Sequence, residues 1–267
     1  MRVPSRAERV SSADALAAAH GWVGLDIPAG VFKVRAYLPR QPVHRNRLTI
    51  YIEGDGFAWF SRSEASRDPT PINPLGLKLA LAQPSGESAY LARPCQYLGA
   101  GKGACRVSEW TLRRFGPELV AAENRAVDAL KRRFKAVHLT LVGYSGGAAM
   151  AVLLAARRHD VDRLVSVAGN LDPQAWTSYH KVSPLRGSLD PMKVTASLKG
   201  VRQWCFVGAR DRDIPPFLAR SYARRFPSRQ RPRVIVVDEL DHHKGWARRW
   251  PALWRRYLST MPAATSR

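Results

Sequence analysis

Apolar positions recur along this chain in two alternating periods. Residues 31–38 alternate with period two, with Phe32, Val34 and Ala36 on one side and Val31, Lys33 and Arg35 on the other, which predicts a strand. Residues 48–53 are a β-branched and apolar run that ends at glycines. Shorter runs at 90–92, 137–142, 163–168, 203–207 and 233–237 read as further strands. Between them the period lengthens. Over 117–135, Leu119, Val120, Val127, Leu130 and Phe134 fall roughly on one helical face. Over 246–258, Trp246, Trp250, Leu253, Trp254 and Tyr257 do the same. Helices are also predicted over 74–82, opened by Pro74, over the alanine-rich 146–158, and over 217–226. Strands alternating with helices predict an α/β protein, with a mostly parallel central sheet covered by helices on both faces. Functional groups in such folds gather beyond the carboxyl ends of the strands.

The 267 residues suit one undivided domain spanning 1–267, with a flexible N-terminus expected over 1–25 and a tail over 260–267. A hydrophobic fraction of 45% and a charged fraction of 24% exclude disorder over most of the chain. No stretch approaches the roughly 18 consecutive apolar residues of a transmembrane helix. Arg2, Arg6 and Arg9 are followed by no sustained apolar run, so no signal peptide is expected. That predicts a cytoplasmic protein, or a periplasmic or secreted one if the true start lies upstream.

Charge alters the picture at first. Lys and Arg number 43 against 21 Asp and Glu, a formal net charge of +22. Polyanions are the first partners to consider. Yet 34 of the cations are Arg, and they come singly or in pairs along the whole chain. That dispersal argues against a nucleic-acid tail and for a property of the surface.

Of the three cysteines, Cys205 lies in the run Trp204-Cys-Phe-Val207 and reads as a small core residue. Cys95 and Cys105 flank a glycine-rich stretch, 99–103, where a disulfide and two free thiols fit equally well. The stretch is not a P-loop, because Lys102 is followed by Gly103 and not by Ser or Thr.

The most informative loop follows the strand at 137–142. Gly143-Tyr-Ser145-Gly146-Gly147 is a Gly-x-Ser-x-Gly pattern between a strand and a helix. Such a turn lifts a serine above the sheet, and Gly143 and Gly147 let strand and helix approach. The helix N-terminus adds free N–H groups beside Ser145. A serine nucleophile needs a base and a group to orient it. Asp211 lies where the chain leaves the 203–207 strand, with Asp213 as alternate and Asp172 as a more distant third choice. Only His242 and His243 lie C-terminal to Asp211, and His242 is the chosen base with His243 as alternate. Metal binding by Asp238, Asp241, His242 and His243 is disfavoured, because adjacent histidines rarely share one ion, so no metal is expected. Gly146 N–H and Asp55 N–H, the latter in the Glu53-Gly-Asp-Gly56 turn, are the expected oxyanion donors.

With these residues in place, the chain resembles the α/β-hydrolase superfamily from about residue 31 to residue 258. The likeness rests on Gly143-Tyr-Ser-Gly-Gly147, on Gly208-x-x-Asp211 with Pro215 after it, and on the late His242 before a tryptophan-bearing helix. Within the superfamily it looks like a set of bacterial hydrolases, through Tyr51-Ile-Glu-Gly-Asp-Gly56, Ala92-Arg-Pro-Cys-Gln-Tyr97 and Ala168-Gly-Asn-Leu-Asp172. The resemblance implies a serine hydrolase that uses Ser145, Asp211 and His242 on a small-molecule ester or amide, with no cofactor. It also favours a Cys95–Cys105 bridge. Many relatives carry His-Gly at the oxyanion turn where this chain has Glu53-Gly54. A carboxylate there hinders catalysis unless it is neutral or drawn into hydrogen bonds. Residues 170–200, with Trp176, Tyr179, His180, Pro184 and Leu185, are expected to form a short lid over the serine. A non-catalytic basic binding protein of the same fold is the reading from another functional class.

Overall fold

The computed structural model describes residues 2–99 and 103–259. Eight strands form one sheet: β1 (Trp22–Ala29), β2 (Phe32–Pro39), β3 (Arg47–Ile52), β4 (Glu87–Leu91), β5 (His138–Tyr144), β6 (Val161–Val167), β7 (Arg202–Gly208) and β8 (Arg233–Val237). Their order across the sheet is β1-β2-β4-β3-β5-β6-β7-β8. β1 pairs antiparallel with β2, and β2 antiparallel with β4; every pair from β4 to β8 is parallel. The buried runs Leu48–Ile52, Leu139–Tyr144 and Gln203–Gly208 are apolar on both sides, as a sheet covered on both faces requires.

Six of the described helices supply that cover. α1 (Arg6–Ala18), α2 (Leu75–Leu81) and α7 (Trp246–Tyr257) pack into one apolar cluster, in which Trp250, Trp254 and Tyr51 meet. α3 (Pro117–Phe134), α4 (Gly146–Ala155) and α6 (Pro216–Arg224) pack into the other. α4 is buried along its whole length, so its apolar residues run all round the helix instead of forming a stripe. α5 (Pro173–His180) stands apart, in the long connection from β6 to β7.

The segment expected to be flexible, 1–25, holds α1 and the start of β1 in its described part. A capping box starts the helix: Glu8 N–H donates to Ser5 Oγ at 3.2 Å, and Ser5 N–H donates to Glu8 Oε2 at 2.6 Å. Arg9 then reaches inward, donating to the carbonyls of Asp68 and Thr70. The expected tail at 260–267 lies outside the described residues, as do 100–102 of the glycine-rich stretch. No described helix is long and apolar enough to cross a membrane.

Candidate active site

Ser145 sits between the end of β5 and the start of α4 with φ 51° and ψ −121°, in the left-handed half of backbone space that side chains rarely enter. The turn is tight because its neighbours are glycines. A Cβ added at Gly143 would lie 2.3 Å from the Gly147 carbonyl oxygen, and one at Gly147 would lie 2.4 Å from that of Ile52. Strand and helix can cross this closely only without those carbons, and the crossing aims Ser145 Oγ beyond the sheet edge.

His242 arrives from the loop after β8. Its Nε2 lies 3.0 Å from Ser145 Oγ and its Nδ1 lies 2.9 Å from Asp211 Oδ2. A carboxylate only accepts, so Nδ1 carries the proton and Nε2 is left to accept from the serine. Asp211 is buried at the end of β7, and its other oxygen accepts from the N–H groups of Asp213 at 2.9 Å and Ile214 at 2.7 Å. The Tyr144 ring lies 5.4 Å from the His242 ring, and its hydroxyl donates to the His242 carbonyl. His242 is thus held at its ring and at its backbone.

The alternates take other places. Asp213 is exposed and stands 3.6 Å from His243, whose pKa is pushed down by partial desolvation of its ring and by the neighbouring His242. Asp172 caps α5 by accepting from Ala175 N–H, and also accepts from Ser221 Oγ. Asp213, His242 and His243 bring one ligand atom each within 4.8 Å of one another, but both ring nitrogens of His242 are already engaged by Ser145 and Asp211. Of the two carboxylates expected near the histidines, Asp241 accepts from the N–H groups of His243 and Lys244, and neither it nor Asp238 joins the cluster.

The turn after β3 completes the constellation. Gly146 N–H opens α4, and no described acceptor is bonded to Asp55 N–H. The Asp55 carboxylate packs against Gly146, where an added Cβ would lie 2.1 Å from Oδ1. Arg114 Nη1 donates to Asp55 Oδ2 at 2.5 Å, and Arg93 Nη1 stands 3.5 Å from Oδ1. Gln96 Nε2 donates to the Gly54 carbonyl at 3.0 Å while its Oε1 accepts from Arg93 N–H. Cys95 and Cys105 are joined, with 5.6 Å between their Cα atoms, next to these clamps. Sequence reasoning missed Arg93, Gln96 and Arg114 as parts of the site, although Arg93 and Gln96 stand in the 92–97 motif that carried the family likeness.

Glu53 is 1% exposed. It accepts from Gly54 N–H at 2.9 Å and from Gly76 N–H at the start of α2 at 3.1 Å. Burial outweighs these bonds and pushes its carboxyl up to about 7. The carboxylate that departs from the family pattern is therefore drawn into hydrogen bonds and only about half ionised at neutral pH.

No protein-family model matches the chain, and no curated protein matches it in sequence. Solved structures match its shape. Est1E from Butyrivibrio proteoclasticus is 13% identical with a TM-score of 0.55, over 87% of this chain and 98% of that one. An α/β serine hydrolase homologue from Coxiella burnetii is 15% identical with a TM-score of 0.57, over 87% and 94%. An α/β serine hydrolase from Xanthomonas campestris, described as without a lid, is 16% identical with a TM-score of 0.55, over 90% and 96%. The chain has the α/β-hydrolase fold. In that fold the sheet order places the loops after β3, β5, β7 and β8 around one opening.

The opening leads to a cavity of about 360 Å³ with Ser145 and His242 at its floor. Phe57, Pro71, Ile72 and Asn73 form one wall, from the chain between β3 and α2. The 170–200 segment expected as a lid contributes no residue to this lining. Trp176 and His180 of α5 instead bond to the Asp213 carbonyl, so α5 braces the loop that carries Asp211.

Proposed function

We propose that this protein is a serine hydrolase that cleaves a carboxylic ester through an acyl-enzyme. The observation that carries the reading is the continuous path Ser145 Oγ–His242 Nε2 at 3.0 Å and His242 Nδ1–Asp211 Oδ2 at 2.9 Å, opening into a cavity. Ser145 Oγ attacks the ester carbonyl as Nε2 takes its proton. Asp211 keeps the imidazole in the required tautomer and stabilises the imidazolium. The N–H groups of Gly146 and Asp55 bind the developing oxyanion. Collapse expels the alcohol, which takes the proton back from Nε2. Water then attacks the acyl-enzyme by the same route and frees the acid and Ser145.

The cavity suits an acyl group of modest size, and its Phe57 and Ile72 wall suits an apolar or aromatic one. Est1E of Butyrivibrio proteoclasticus has been solved with ferulic acid bound, an aromatic acid of that scale. A fluorophosphonate probe tests the nucleophile. Labelling of the wild type and none of Ser145→Ala is expected; equal labelling of both, or of neither, sinks the reading. A series of p-nitrophenyl esters beside an amide of the same acyl group tests the bond cleaved. Ester turnover well above amide turnover is expected, and the reverse would make the protein an amidase.

A further inference from the structure

The candidate site occupies one end of the sheet, and the charge collects at the other. β4, β3, β5, β6, β7 and β8 run parallel, so all six begin along one edge. α3 ends just before β5 begins, and α6 ends before the short turn that leads into β8. α7 returns to the same edge, where Arg163 Nη1 at the start of β6 donates to the Leu258 carbonyl at 3.2 Å. Three helix C-termini therefore meet there, carrying Lys131, Arg132 and Arg133, then Arg224, then Arg255 and Arg256 in their last turns. Residues 131–135 hold four cations and residues 224–233 hold five, with no carboxylate in either stretch. The loops 209–215 and 238–245, at the site end, hold five carboxylates against three cations.

A cation in a last helical turn is favoured by the carbonyl end of the helix, which accounts for one or two per helix. It does not account for the density across this edge. The acids available there are already engaged: Asp160 with Arg158 and Lys131, Asp128 with Arg158, Asp162 with Arg47. Arg132, Arg133, Arg224, Arg225 and Arg229 are exposed and form no ion pair among the described residues. Six parallel strands make the edge about 24 Å long. Val43 and Val137 lie on it, each 54% exposed, and Val137 N–H donates to the nearby Asn46 carbonyl. The aromatic rings nearby are covered: Phe134, Phe226 and Trp254 are buried, and Tyr257 lies beneath Arg233 and Arg256.

We propose that this edge is a docking surface for an anionic lipid bilayer. Arginine matches phosphate in a planar, multidentate way. The cations spread over three helix ends, and the cleft among them, lined by Lys131, His138, Arg157 and Arg158, is lined also by the carboxylates of Asp128 and Asp160, which oppose a nucleic-acid strand. Apart from the exposed His44 and His159, no described ring near this edge offers a platform on which bases could stack. The exposed valines set among arginines suit the boundary between headgroups and acyl chains. Docking in this sense holds the Ser145 cavity on the side away from the membrane.

Co-sedimentation with vesicles tests the proposal independently of any hydrolysis. The intact protein is expected to bind vesicles containing one-third phosphatidylglycerol, not to bind pure phosphatidylcholine, and to detach as salt rises. The triple variant R224E/R225E/R229E is expected to lose at least about 30-fold in partitioning, since each cation near such a surface counts separately. K181E/R186E/R210E removes the same charge from loops at the site end and is expected to lose under about threefold. Circular dichroism and turnover of a soluble ester check that both variants are folded. Equal loss in the two variants would reduce the effect to net charge and overturn the proposal. So would an absence of vesicle binding, or a preference for a 25-base-pair duplex over the vesicles.

Discussion

Glu53→Gln separates a stability effect from a catalytic one. The Glu53 carboxyl titrates near 7 in the fold and near 4.5 in the unfolded chain. Below pH 4.5 it is protonated in both states and costs nothing. Between 4.5 and 7 the unfolded chain ionises first, so each pH unit removes about 1.4 kcal/mol of native stability. Above 7 both states are ionised and the loss levels at about 3 kcal/mol. Glutamine cannot ionise, but one of its ends is a donor facing Gly76 N–H, which costs about 1 kcal/mol at every pH. The variant is therefore expected to be near wild-type stability at pH 5 and about 2 kcal/mol more stable at pH 8. Urea unfolding followed by tryptophan fluorescence at pH 5, 6, 7 and 8 measures the difference. Ester turnover gives a second reading: wild-type kcat/KM should fall above pH 7 as the carboxylate forms beside the oxyanion turn, and the variant should keep its activity there. A stability difference that stays constant across this range refutes the argument, because it leaves no buried carboxyl titrating between the two values.

Three further outcomes follow from the site. Asp211→Asn should lower kcat by roughly 10³–10⁴ while Asp213→Asn stays within a few-fold of wild type in steady-state kinetics, since only Asp211 holds the proton-bearing nitrogen of His242. Gln96→Leu frees the Gly54 carbonyl and should lower kcat by about 10² with little change in KM, because the oxyanion turn acts on the transition state; a change confined to KM would contradict this. Replacing Cys95 and Cys105 with alanine should cost about 3 kcal/mol in urea unfolding, from the entropy of the loop they close.

The central architecture was legible because its signals are local. Period two in the strands, glycines flanking Ser145, and carboxylate and histidine at later strand ends all follow from chain geometry. What escaped was held by long-range contact. α1 carries a short capping box, but its docking depends on Arg9 reaching carbonyls about 60 residues away. The clamps of Gln96 and Arg114 join segments whose spacing says nothing of their meeting. The 170–200 segment has the aromatic content of a lid, yet Trp176 and His180 turn to the Asp213 loop because its carbonyl is within their reach. Charge misled in a different way. Arginines dispersed in sequence converge in space, because α3, α6 and α7, each beside a parallel strand of this sheet, end at the same edge.

The anchoring of α7 has a bearing on timing. Trp250 Nε1 donates to Tyr51 Oη, which ties the helix directly after His242 to a strand nearly 200 residues earlier. Ser145 and the turn after β3 belong to elements that can assemble around β3 and β5 first. His242 reaches them only when the last strand and helix dock. A folding chain should therefore pass through compact states that carry a correctly turned serine with no partner to activate it. Recovery of activity during refolding becomes a clock for the docking of this final unit, lagging behind the signals of sheet formation.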